Sequence, residues 1–137
     1  MKKQYSYFDH DADIGIAGHG STVEAAFTAA AEAMFAIMAD IRHVSAQQCV
    51  DITFVESDLE LALVTWLNLL LTEAREHGMA FGSFQLVRQG NHWQGRACGE
   101  VWRDALERGT EVKGATLTML YVKQEGDEWA ASCVVDV

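Results

Sequence analysis

Two turn signals fix most of the second half of this chain. QGNH at 89–92 and EGDE at 125–128 each sit between runs rich in β-branched, aromatic and alternating apolar residues. A Gly next to Asn or Asp at such a tip closes a tight hairpin. FQLVRQGNHWQGRACGEVW and ATLTMLYVKQEGDEWAASCVVDV therefore read as two hairpins, separated by the polar loop RDALERGTEVKG. The chain has no proline, and its 11 glycines supply the turns.

The first half alternates strands with helices. QYSYF (4–8) and IGIAGH (14–19) read as short strands. Ser21 and Glu24 form a capping-box pattern. Val23, Phe27, Ala30, Met34 and Ile37 then follow at helical spacing, one apolar stripe running to about Asp40. CVDITFVE alternates, with Val50, Ile52 and Phe54 on one face, and reads as a half-buried strand. Ser57 and Glu60 repeat the capping box and open a second helix, from about Asp58 to His77, with Gly78 as its stop. Thr65, Asn68, Thr72 and Arg75 make one narrow polar stripe on that helix, so most of its other sides are expected to be buried. Two helices and six or seven mostly antiparallel strands predict an α+β class: a two-layer sandwich with the helices packed on a sheet.

At 137 residues the chain is long enough for one domain with a real core, and no linker or internal repeat divides it, so residues 1–137 are read as a single domain. The longest apolar run, LELALVTWLNLLL, is too short and too polar to span a membrane, and the N-terminus lacks the apolar core of a secretory signal. A cytoplasmic protein is the expectation. The three cysteines (Cys49, Cys98, Cys133) lie far apart with no CxxC spacing, and are expected to be reduced thiols. A net charge of −10 disfavours direct binding to a nucleic-acid backbone and favours cations or a basic protein partner.

Three constellations carry chemistry. In YFDHDADIGIAG, Asp9, Asp11 and Asp13 fall within five residues around His10. Such acids suit a hard cation or a general base, or cap a solvated turn. In CVVDV, Asp136 is next to last, behind a strand apolar enough to be locked into a sheet. In GTEVKGAT (109–116), Lys113 precedes a strand, where it can serve as a point charge for phosphate or pair with Glu111. Phosphate-loop, dinucleotide-binding, nucleophile-elbow and HExxH patterns are all absent from the sequence.

Taken in order, the Asp-His-x-Ala-Asp turn, GTEVK-x-x-T and the Asp-x terminus resemble the archease family, as does the opening FDHDADIGIAGHG followed by STVEAAFTAAAEAMF. The resemblance spans essentially the whole chain. It implies a strand-helix-strand-strand module carrying an insert. It implies a protein that is not itself an enzyme but a cofactor of an RtcB-type RNA ligase, promoting ligase guanylylation and multiple turnover in tRNA splicing or RNA repair. It further implies a divalent cation (calcium, magnesium or manganese) held by Asp13, Asp136 and the chain end at Val137. Asp9, His10, Asp11, Lys113 and Thr116 become accessory or partner-contact residues. This chain departs from the family at Asp11, where Thr is usual, and at Leu106, Leu117 and Thr118, where histidines or an aromatic are common.

Two other readings use the same residues. One is a small metal-dependent phosphohydrolase or nuclease built on Asp9, Asp11 and Asp13. The other is a metal- or ligand-binding module with no link to RNA.

Overall fold

The structure is a computed structural model, and it describes residues 4–10 and 12–137. The elements in order are β1 (Tyr5–His10), β2 (Asp13–Gly20), α1 (Val23–Met38), a 3-10 turn (Ile41–His43), β3 (Gln48–Val55), α2 (Leu59–His77), β4 (Met79–Gln89), β5 (His92–Val101), β6 (Gly114–Ala115), β7 (Tyr121–Glu125) and β8 (Glu128–Asp136). Both expected hairpins are present, β4–β5 turning at Gly90 and β7–β8 at Gly126, and both glycines have positive φ.

The strands form two sheets. One has the order β1-β2-β8-β6, with β7 also on β8; the other is β3-β5-β4, and every pairing is antiparallel. Residues 48–101 run strand, helix, strand, strand (β3, α2, β4, β5), and the last strand pairs with the first. The segments flanking them repeat that path: β2, α1, β7, β8, again with the last strand pairing with the first. One strand-helix-strand-strand unit is therefore inserted into another of the same topology. The sequence shows no repeat because topology is set by which strands pair, and very different apolar patterns meet that demand.

α1 packs on β2 and β8 of one sheet and on β4 of the other. Nine of its residues are buried, five of them alanines, so it is enclosed on more sides than its single stripe indicates. Small side chains let the backbones close in. A Cβ on Gly18 would stand 2.3 Å from the Ala26 carbonyl oxygen, so only glycine permits β2 and α1 this approach. The cap of α1 is Thr22, whose hydroxyl accepts from the Ala25 N–H, and that of α2 is Asp58, which accepts from Leu61; each lies one residue beyond the serine expected from sequence. α2 ends at Gly78 in the left-handed region, φ 60°, as expected.

The two units share one core. Trp66 of α2 is fully buried and donates its indole N–H to the Phe27 carbonyl of α1. Phe27 stacks on Trp93, and Trp93 on Phe54, with centroids 5.2 and 5.6 Å apart. The 103–114 loop is less polar in effect than in composition: Leu106 and Val112 are buried, which gives Leu106 a packing role.

The cysteines depart from expectation. Cys49 and Cys98 stand directly opposite each other in the β3–β5 ladder, Cα atoms 4.1 Å apart, and form a disulfide; only Cys133 is free. Separation along the sequence hid a pairing that strand register creates. No described helix is long and apolar enough to cross a membrane.

Candidate functional site where the chain ends meet

The β2–β8 ladder runs from Gly20↔Trp129 to Ile14↔Val135. One step further places Asp13 beside Asp136. On the other side of β8, Gly114 pairs with Asp136, and the Lys113 N–H donates to the Asp136 carbonyl at 2.8 Å. Asp13, Asp136 and Lys113 thus lie on three adjacent segments at one corner of the larger sheet. The corner is ordered because β8 is locked on both sides and buried from Ala130 to Val135. Val137 packs its side chain against the core, which anchors the residue after Asp136.

Strand alternation sorts the candidates. Directly opposed residues of an antiparallel pair share a face. His10 opposes Asp13, so both lie on the face that also carries Gly15, Val134 and Asp136. Asp9 opposes Ile14 and belongs to the other face, where Tyr7 donates its hydroxyl to the Ala33 carbonyl of α1. The register therefore sets His10, Asp13 and Asp136 on one face of the sheet, and Asp9 on the other. Asp11 lies outside the described residues.

The donor chemistry suits a hard divalent cation: two carboxylates from opposite ends of the chain, with the end of the chain beside them. His10 Nδ1 is buried with no hydrogen-bond partner among the described residues, an unsatisfied polar atom next to Asp13. Among the described residues no three His, Cys, Asp or Glu side chains are grouped closely enough to hold a metal by themselves. A cation at this corner needs backbone or terminal oxygens, or groups from a partner.

Thr116 is turned to a structural task. Its hydroxyl donates to the Val134 carbonyl at 2.8 Å and accepts from the Thr118 N–H. Lys113 is exposed and forms no ion pair, with Glu111 or otherwise, among the described residues.

The residues that sequence reasoning left without a role are on α2. Asn68 binds Ala115 through both ends of its amide, Nδ2 to the carbonyl at 3.2 Å and Oδ1 to the N–H at 2.9 Å. Arg75 donates to the carbonyls of Val112 and Lys113 at 2.9 and 2.7 Å. Half of the narrow polar stripe thus pins the segment bearing Lys113. The signal was there: polar residues in register on an otherwise apolar helix must meet something polar, and here it is the backbone of a strand only two residues long.

These features define a small α+β protein of nested strand-helix-strand-strand units, with an acidic corner assembled from its two ends. Known proteins share this fold. Residues 5–137 match the archease protein family, and the chain belongs to that family. It is 33% identical to protein archease of Thermococcus gammatolerans, over 98% of this chain and 99% of that one. It is 35% identical to protein archease of Methanosarcina barkeri, over 98% and 97%. The solution structure of a Methanobacterium thermoautotrophicum protein superposes with a TM-score of 0.85 at 28% identity, covering 99% of this chain and 100% of the other. A Thermotoga maritima crystal structure, described as an archease and possible chaperone, shares the fold with a TM-score of 0.65 at 19% identity, covering 95% and 94%.

Proposed function

We propose that this chain is a non-enzymatic activator of an RtcB-type RNA ligase, acting in the cytoplasm in tRNA splicing or RNA repair. In this reading Asp13, Asp136 and the carboxylate of Val137 hold a divalent cation: calcium, magnesium or manganese. The observation that supports the reading is the β2–β8 register, which reaches Ile14↔Val135 and makes Asp13 and Asp136 the next residues along the two strands. Neighbouring carboxylates repel unless a cation or a partner's positive charge neutralises them, so the corner is built to receive positive charge. A cation held there supplies stabilisation of negative charge on phosphate oxygens, which nucleotidyl transfer requires. Lys113, its backbone fixed by Arg75 and by Asp136, lies on the neighbouring segment, and in this reading its ammonium meets a phosphate or an acidic ligase residue. The description of the Thermotoga maritima relative as a possible chaperone agrees with action on another protein. The phosphohydrolase reading gains nothing from Asp9, which sits on the opposite face from Asp13.

The test is ligase guanylylation under multiple turnover, with cognate ligase, GTP and a divalent cation. It is run without the protein, with it, and with Asp13→Ala and Asp136→Ala. Acceleration by wild type, and none by either folded variant, is the expected result. No acceleration by wild type rejects the activator reading.

A further inference from the structure

The strands that flank β8 on its free side are out of register with each other. Ala115 pairs with Val135, while Tyr121 pairs with Ser132. The five residues 116–120 therefore face only Cys133 and Val134, and three residues are extruded as a bulge. Bulges of this kind re-aim side chains and are common beside functional sites.

The bulge is rigidly held. The Thr116 N–H and hydroxyl both donate to the Val134 carbonyl, the Val134 N–H donates to the Thr118 carbonyl, and the Leu120 N–H donates to the Leu117 carbonyl. Leu120 turns inward and packs on the core. Leu117 and Met119 instead turn outward, 63% and 57% exposed. Met119 has φ 50°, the one described non-glycine residue with positive φ, a conformation a long side chain adopts at a cost. A frame that fixes two large apolar side chains in water, and strains the backbone to do so, is poorly explained by the stability of the isolated chain.

We infer that Leu117 and Met119 are the docking knob of this protein, inserting into an apolar socket on its protein partner. The inference rests on the activator reading and names the contact that reading lacks. The bulge pairs with the residue two positions before Asp136, so a partner that seats the knob is brought onto the acidic corner. Continuity with that corner also selects the occupant. A second copy of this chain would bring two acidic corners together, each on a protein of net charge −10. An anionic membrane surface would be repelled in the same way. A protein with an apolar socket rimmed by basic residues satisfies both the knob and the corner.

The experiment titrates cognate ligase with fluorescently labelled protein and measures guanylylation at saturation. It compares wild type, Leu117→Ser/Met119→Ser and Asp136→Asn, with thermal melts to confirm folding. The knob variant is expected to bind at least about tenfold more weakly and to approach wild-type activation when saturating. Asp136→Asn is expected to bind and fail to activate. Peroxide oxidation of Met119 in wild type is expected to slow once the ligase is bound. Normal binding by the knob variant, with wild type active, overturns the knob and leaves the activator reading standing. An unchanged Met119 oxidation rate in the complex does the same. A wild-type dimer that the knob variant converts to monomer assigns the knob to a second copy and overturns it too. Wild type that neither binds nor activates the ligase removes both.

Discussion

Asn68 and Ala115 are joined by two hydrogen bonds, so a side-chain amide takes the place of a strand on the exposed edge of β6. That edge belongs to the segment whose neighbour on the other side is Asp136. Helix α2, which belongs to the inserted unit, thereby fixes the acidic corner of the outer one.

Breaking that clamp is expected to loosen the corner before it unfolds the protein. Asn68→Ala leaves the Ala115 N–H and carbonyl half-buried and unpaired, at about 1–3 kcal/mol of stability. The Ala115 amide is expected to exchange with deuterium faster than its neighbours on β8. Asn68→Asp keeps the acceptor but loses the donor, and is expected to fall between the two. Equal protection of Ala115 in all three proteins would show that the strand needs no help from α2.

Gly18→Ala tests the contact between β2 and α1. The added Cβ would meet the Ala26 carbonyl oxygen and the Ala30 nitrogen, each at 2.3 Å, and neither backbone atom can swing aside. A loss of about 1–3 kcal/mol or more is expected in chemical denaturation, with no change in charge or polarity to confuse its origin.

The Cys49–Cys98 disulfide closes 49 residues of sequence separation between adjacent strands. Reduction is expected to lower stability by about 2–4 kcal/mol. The Cys49→Ser/Cys98→Ser double variant is expected to be insensitive to reductant. Thiol titration of the unfolded, unreduced protein is expected to find one reactive group, Cys133; finding three would mean the bridge does not form.

Alkaline pH is expected to unfold the protein through two groups. Burial pushes the Tyr7 hydroxyl from 10.0 to about 12, helped by the neighbouring Tyr5, and pushes the Cys133 thiol from 9.0 to about 12. Both are held protonated in the folded state, so the unfolded chain releases these protons first. Their contribution is fully present below about pH 9 and is lost as pH rises through about 12. Circular dichroism across that window is expected to show a falling midpoint in denaturant. Tyr7→Phe is expected to make the fall shallower; an unchanged slope would place the sensitivity elsewhere.

What could be read from sequence was what is encoded locally. Gly90 and Gly126 announced the hairpins, Gly78 the end of α2, and helical spacing both helices, because each signal acts within a few residues. The cap of each helix was misplaced by one residue, since Ser21–Thr22 and Ser57–Asp58 offer competing oxygens and only the geometry of the first turn chooses. What depends on register was hidden. Cys49 faces Cys98, and Arg75 reaches Val112, only once strand order is settled. The approach of Asp13 to Asp136 was expected from resemblance, not from spacing. The sorting of Asp9 away from Asp13 followed from strand alternation once both strands were in place.

The pairing of β2 with β8 also has a kinetic meaning. The Ser132 hydroxyl donates to the Ile16 carbonyl across 116 residues of sequence, and the inserted unit lies wholly within that loop. Closing so long a loop costs chain entropy before any contact rewards it, so this ladder is slow to nucleate, and its completion is favoured by prior compaction of what it encloses. The acidic corner is therefore expected to form late, after the inserted unit has its shape. A chain interrupted partway through folding has no such corner to present, and any partner that requires it is thereby selecting finished molecules from unfinished ones.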